Sequence, residues 1–222
     1  HQVLAEEGYI PLWNPYYRQG EPLVDNAFSY LLNPFSSVPH LLLESTQGTK
    51  YAITIHAGLA AIGGWFLGWV LGFSGVGRLT LALLMLGKGN MHANFDGGYY
   101  QLAMQQVYFP WVFAGLYALI KTTKRWAVML TAVSASLMFF AGNLWHLLPT
   151  AISMLLLIIV YGWSSRRIDK AILRRMALVT GITVGLCAVT LLSIVAHYGL
   201  IDAHPDEYRA GWEVLEPNRT YL

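Results

Sequence analysis

The sequence predicts an all-α, polytopic integral membrane protein, with about six transmembrane helices behind an amphipathic, proline- and aromatic-rich loop. Three observations predict it. The chain of 222 residues is 55% hydrophobic and only 12% charged, and its mean hydropathy is +0.46, beyond what a soluble core requires. Long apolar stretches recur along it. The charges between those stretches sort alternately. One set of segments carries Arg78, Lys121, Lys124, Arg125, Arg166, Arg167, Lys170, Arg174 and Arg175 with a single acid, Asp169, while the other holds every remaining acid from Glu6 to Glu216. Basic residues resist translocation, so the first set faces the cytoplasm and the second faces outside.

Residues 1–48 come first. They carry Pro11, Pro15, Pro22, Pro34 and Pro39 among Trp13, Tyr16, Tyr17, Phe28, Tyr30 and Phe35. Prolines at this density forbid one continuous helix and predict short pieces joined by turns. The aromatics suit a loop lying at headgroup depth on the outer side.

The expected crossings then fall at about 51–73, 77–90, 107–120, 126–145, 149–163 and 176–199. A span needs roughly 20 apolar residues for a ~30 Å hydrocarbon layer. The stretch at 77–90 is short, but parity supports it: without it, Lys121, Lys124 and Arg125 would move outside. Residues 164–175 form a basic cytoplasmic connector suited to anionic lipid. Residues 201–222 begin an outer segment. The chain opens on His1 and stops in a polar stretch, so it reads as a piece of a longer polypeptide with a crossing upstream.

Composition narrows the function classes. The net charge of +2 is concentrated in the inner loops and carries no nucleic-acid signal. The lone Cys187 permits no intrachain disulfide. No phosphate-binding glycine loop, nucleotide fingerprint or G-x-S-x-G elbow is present, so no nucleotide cofactor is expected.

Two outer turns carry chemistry. Residues 87–111 place His92, Asn94, Asp96, Tyr99, Gln101, Gln105 and Gln106 beside a membrane face, and residues 141–149 add Asn143 and His146. A carboxylate and imidazoles there are costly unless they meet water, a partner or a ligand. With the aromatic loop, three polar segments are expected to converge on one outer mouth. His92 and His146 lack HxH or HExxH spacing, so no motif sets a metal requirement, and a divalent metal is left open as a cofactor. Asp96 suits a helix cap as readily as catalysis. His56 and His197, inside or ending crossings, suit helix-packing hydrogen bonds.

At residues 8–35 the run GYIPLWNPYYRQGEPLVDNAFSYLLNPF resembles the first outer loop of the YfhO-like bacterial membrane proteins and related GT-C glycosyltransferases. There a "PLWNP…G.P…P" pattern follows the first transmembrane helix. Here it is Pro11-Leu12-Trp13-Asn14-Pro15, Gly20, Pro22 and Pro34. Phe109-Pro110-Trp111, and Phe140-Ala141-Gly142-Asn143 with His146, resemble later turns of those families. The resemblance covers most of residues 8–163.

The resemblance implies a GT-C-like enzyme of the bacterial inner membrane that uses a polyprenyl-phosphate-linked sugar on the extracytoplasmic face. Such enzymes place a catalytic acid just after the first helix, where this chain offers only Glu6 and Glu7 upstream of the motif. Within this reading, a carboxylate from Glu21, Asp25 or Asp96 deprotonates the acceptor. Arg18, Lys88 and His92 hold the departing phosphate. Asn14, Asn26, Asn94 and Gln101 bind sugar hydroxyls, Trp13 is an apolar platform, and Asn143 and His146 complete the substrate site. The expected partners are membrane lipid, the lipid-linked donor and other membrane proteins.

Two other classes compete. One is a non-enzymatic transmembrane subunit of a larger complex, with histidines on pigment or haem and Gly58, Gly63, Gly64, Gly68 and Gly72 packed on neighbouring helices. The other is a transporter, disfavoured by the scarcity of charge within the crossings.

Overall fold

In a computed structural model the described residues are 13–14, 21–22, 31–43, 45–142, 146–165 and 170–203. They form helices joined by short turns, with one two-residue antiparallel bridge. In it β1 (Trp13–Asn14) pairs with β2 (Glu21–Pro22) in the register Trp13↔Pro22 and Asn14↔Glu21.

Helix α1 (Pro34–Leu42) starts where Asn33 accepts a hydrogen bond from the Phe35 N–H, with proline at the first helical position. It is one of the short pieces that the proline density predicts. Helix α2 (Ser45–Val70) is the first long element, and α1 packs against it. It ends where Gly72 takes a φ of 80°. Phe73 N then bonds Gly68 O at 2.8 Å and Gly72 N bonds Trp69 O at 3.0 Å, a left-handed cap that satisfies the last carbonyls. Two residues on, the Ser74 hydroxyl accepts from Gly77 N at 3.3 Å and starts α3 (Gly75–Leu86). The sequence Gly72-Phe73-Ser74 is thus both stop and start, and it folds α3 back along α2.

The polar segment after α3 is more structured than a turn. It holds α4 (Gly89–Asp96) and α5 (Tyr100–Gln106), reversed at Gly97-Gly98, where Gly98 has φ 76°. Helix α6 (Phe109–Lys121) follows after a break at Val107-Tyr108. Pro110 explains the break, since it has no N–H to bond the Gln106 carbonyl one turn back. Helices α7 (Arg125–Phe140), α8 (Leu147–Ser165) and α9 (Lys170–Ala203) complete the described chain.

Each expected crossing therefore contains a helix, with shifted ends. The stretch expected at 77–90 stops at Leu86. The one expected at 107–120 is extended at its start by α5. Much of the expected connector at 164–175 is helical, because α8 runs to Ser165 and α9 begins at Lys170. By length and composition, Thr46–Val70 and Lys170–Ala196 are apolar enough to cross a membrane. Helix α3, at 12 residues, spans only about 18 Å, and α6, at 13 residues, about 20 Å.

Side-chain contacts fix the helix directions. Arg175 Nη1 donates to Leu119 O at 2.9 Å and Thr122 O at 2.6 Å, setting the start of α9 on the end of α6. Lys121 Nζ lies over the Tyr117 ring at 5.7 Å and the Tyr161 ring at 5.5 Å, adding the end of α8. Trp126, at the start of α7, meets Phe66 of α2 edge-on at 6.2 Å. These contacts gather one basic end. At the opposite end the start of α8 meets α5, through His146 and Gln105. Consecutive long helices thus run up and down.

The core lies between α6, α7 and α9, around Leu116, Leu119, Ala127, Ala132, Ile172 and Val179. A second cluster nearer the polar end joins Ala52, Met104, Tyr108, Met138 and Ala141. Small residues permit close helix contact. A Cβ on Gly64 would come 2.7 Å from Leu81 O, and one on Gly63 would come 2.9 Å from Pro110. Those two glycines, with Gly68 against Arg78, are spent inside the bundle and not on a neighbouring subunit. Outward, α8 and α9 bare Leu155 (57% exposed), Val189 (67%), Leu192 (68%) and Val195 (69%).

Candidate functional site

The polar end of the bundle is built from the α3–α4 junction, the α5–α6 break and the start of α8. Gln105 is fully buried at the end of α5. Its Nε2 donates to Met138 O of α7 at 3.1 Å, which orients the amide. Its Oε1 then lies 3.0 Å from His146 Nδ1. An amide oxygen only accepts, so Nδ1 carries the proton and the neutral ring keeps its lone pair on Nε2. No described residue bonds that Nε2.

Lys88 lies in the turn after α3. Its ammonium is 4.9 Å from the centroid of the Phe109 ring, and His146 meets the same ring edge-on at 5.7 Å. Phe109 therefore contacts both Lys88 and His146. Burial holds Lys88 below the usual lysine range. Burial first, and the nearby Lys88 charge second, hold His146 below the usual histidine range. Among the described residues no carboxylate pairs with Lys88.

Gly142 ties the second polar turn to α5. It has φ 144°, and a Cβ there would collide with the Gln101 side chain. Gln101 and His146, two of the sequence-predicted residues, are thereby held at the same end. Next in sequence to Gln105, Gln106 is 3% exposed, yet among the described residues neither its Oε1 nor its Nε2 has a hydrogen-bond partner. An unsatisfied buried amide is costly and marks a place for water or ligand.

The remaining predicted residues sit elsewhere or outside the described set. His92 is exposed, and its Nε2 lies 3.1 Å from Leu86 O. Asp96 closes α4 and is exposed, and Asn94 on the same helix is half-buried. No described contact links these three to His146. Trp13, Asn14 and Glu21 are described only as backbone, in the bridge. Arg18, Asp25 and Asn143 lie outside the described residues.

Sequence reasoning missed a buried network that anchors α1. Asn33 Nδ2 donates to Tyr108 Oη at 3.0 Å, and Tyr108 Oη lies 3.4 Å from His56 Nε2. His56 Nδ1 donates to Ala52 O at 2.7 Å, leaving Nε2 to accept from the phenol. Both ring nitrogens are engaged, so His56 packs helices and has no free nitrogen for pigment or haem. The available signal was polar residues within apolar runs. Among the described residues no group of three or more His, Cys, Asp and Glu side chains forms a metal-sized cluster.

No protein-family model, curated protein or solved structure matches this chain.

Proposed function

We propose that the chain belongs to a multi-pass enzyme of the bacterial cytoplasmic membrane, resembling the YfhO-like and GT-C glycosyltransferases, that transfers sugar from a polyprenyl-phosphate donor. The observation that carries the reading is the separation of the two ends. Bases collect at one, half-buried polar groups and the exposed Asp96 at the other, and bare apolar side chains lie between. The positive-inside rule then makes the basic end cytoplasmic and the polar end extracytoplasmic.

In this reading α2, α3, the broken pair α5–α6, α7, α8 and α9 cross the bilayer. The pair α5–α6 supplies the length that α6 lacks, and the break falls where it borders a polar site. The mismatch at α3 is met by local thinning or tilt. The donor enters sideways from the lipid. A carboxylate from Asp25 or Asp96 takes the proton of the acceptor hydroxyl. The hydroxyl oxygen bonds to the anomeric carbon, and the bond from that carbon to the phosphate oxygen breaks.

The test is transfer from polyprenyl-phosphate sugars by the full-length protein in vesicles. Asp25→Asn or Asp96→Asn should abolish transfer with insertion intact. If the unmodified protein transfers nothing and co-purifies with a larger complex, it is a non-enzymatic subunit.

A further inference from the structure

We infer that Lys88 and His146 form a seat for a phosphate group at the polar end of the bundle. The inference deepens the transfer reading, on which it rests only for the lipid-linked form of the ligand.

Lys88 is half-buried, and its ammonium leans on the Phe109 ring. The ring face contributes a cation–π contact but leaves the three N–H donors without an anionic acceptor among the described residues. His146 is held by Gln105 through Nδ1, so its Nε2 is the atom available to a ligand. An incoming phosphate offsets the Lys88 charge and favours protonation of that nitrogen. Both groups then donate charge-assisted hydrogen bonds to phosphate oxygens.

The backbone adds to this. Lys88 immediately precedes α4 and bears no capping side-chain bond. His146 immediately precedes the 19-residue α8. Two helix starts, with their positive dipole ends, therefore adjoin the two side chains. The nearest acid in sequence, Asp96, is at the far end of α4, so no described carboxylate competes for the cations. Without a ligand, Lys88 would merely run along Phe109 to water. That alternative predicts no phosphate binding dependent on His146.

The experiment measures binding of inorganic phosphate and of a short-chain isoprenyl monophosphate to the full-length protein in detergent. Isoprenyl phosphate should bind, and Lys88→Met and His146→Gln should each weaken it about tenfold or more, the size of one lost charge-assisted contact. Lys88→Arg should stay within about threefold of wild type. Lys124→Met, at the basic end, should change nothing. Tighter binding of the isoprenyl ester than of inorganic phosphate assigns a lipid source, and equal binding assigns free phosphate. No binding of either, or binding that survives both Lys88→Met and His146→Gln, overturns the seat. Phosphate binding without sugar transfer overturns the transfer reading and leaves the seat standing. Transfer that survives loss of both side chains does the reverse.

Discussion

His146 Nδ1 lies 3.0 Å from Gln105 Oε1 across 41 positions of sequence. The contact joins the start of α8 to the end of α5 and fixes which imidazole nitrogen is free. Gln105→Leu should lower the unfolding free energy by about 1–3 kcal/mol, because Met138 O and His146 Nδ1 both lose a partner while buried or half-buried. Thermal unfolding of the purified protein checks this, and wild-type stability in the variant would remove the contact from the account.

Acid should weaken the fold through His146. Its folded-state pKa is lowered from 6.5, by burial first and by Lys88 second. Below that value the unfolded chain takes up a proton that the folded ring refuses. The contribution is therefore complete above about pH 6.5 and is lost as pH falls through it. Lys88→Met removes the second cause, so its melting temperature should fall less than that of wild type between about pH 7 and pH 5. Equal acid sensitivity would show that the two groups do not interact.

The α2–α3 pair depends on the absence of a side chain at Gly64. Gly64→Leu would drive a Cβ to within 2.7 Å of Leu81 O and should cost about 1–3 kcal/mol by overpacking. Gly58→Leu, where nothing lies within 4 Å, should be neutral or slightly stabilising. Similar losses at the two sites would argue against this packing.

At the basic end, Arg175 caps α6 by donating to Leu119 O and Thr122 O. Arg175→Met should destabilise by about 1.5–3 kcal/mol, the range for hydrogen bonds to a charged group. Arg174→Met, at an exposed neighbour, should have little effect.

Legibility in the sequence followed the range of the interactions. The alternation of charge with apolar stretches located a helix at every expected crossing, because both signals are local. The stop at Leu86 and the break before Phe109 were also written locally, as Gly87 and Pro110, but hydropathy smoothed over them. The α4–α5 hairpin hid in a segment that composition marks only as polar. The Lys88–Phe109–His146 arrangement was not legible, since it joins separate elements and no spacing encodes it. His92, grouped with Lys88 by proximity in sequence, instead turns to Leu86 O. Of the expected carboxylates, Asp96 is exposed on α4, and Asp25 lies outside the described residues.

The two ends of the bundle should face opposite sides of a membrane, and a pair of single cysteines measures this most directly. Ala93, on α4 at the polar end, and Thr123, between α6 and α7 at the basic end, are both exposed. In a background lacking Cys187, an impermeant maleimide applied to intact cells should label Ala93→Cys and spare Thr123→Cys until the membrane is opened. Labelling of both from outside, or of Thr123→Cys alone, would contradict the topology and with it the extracytoplasmic site.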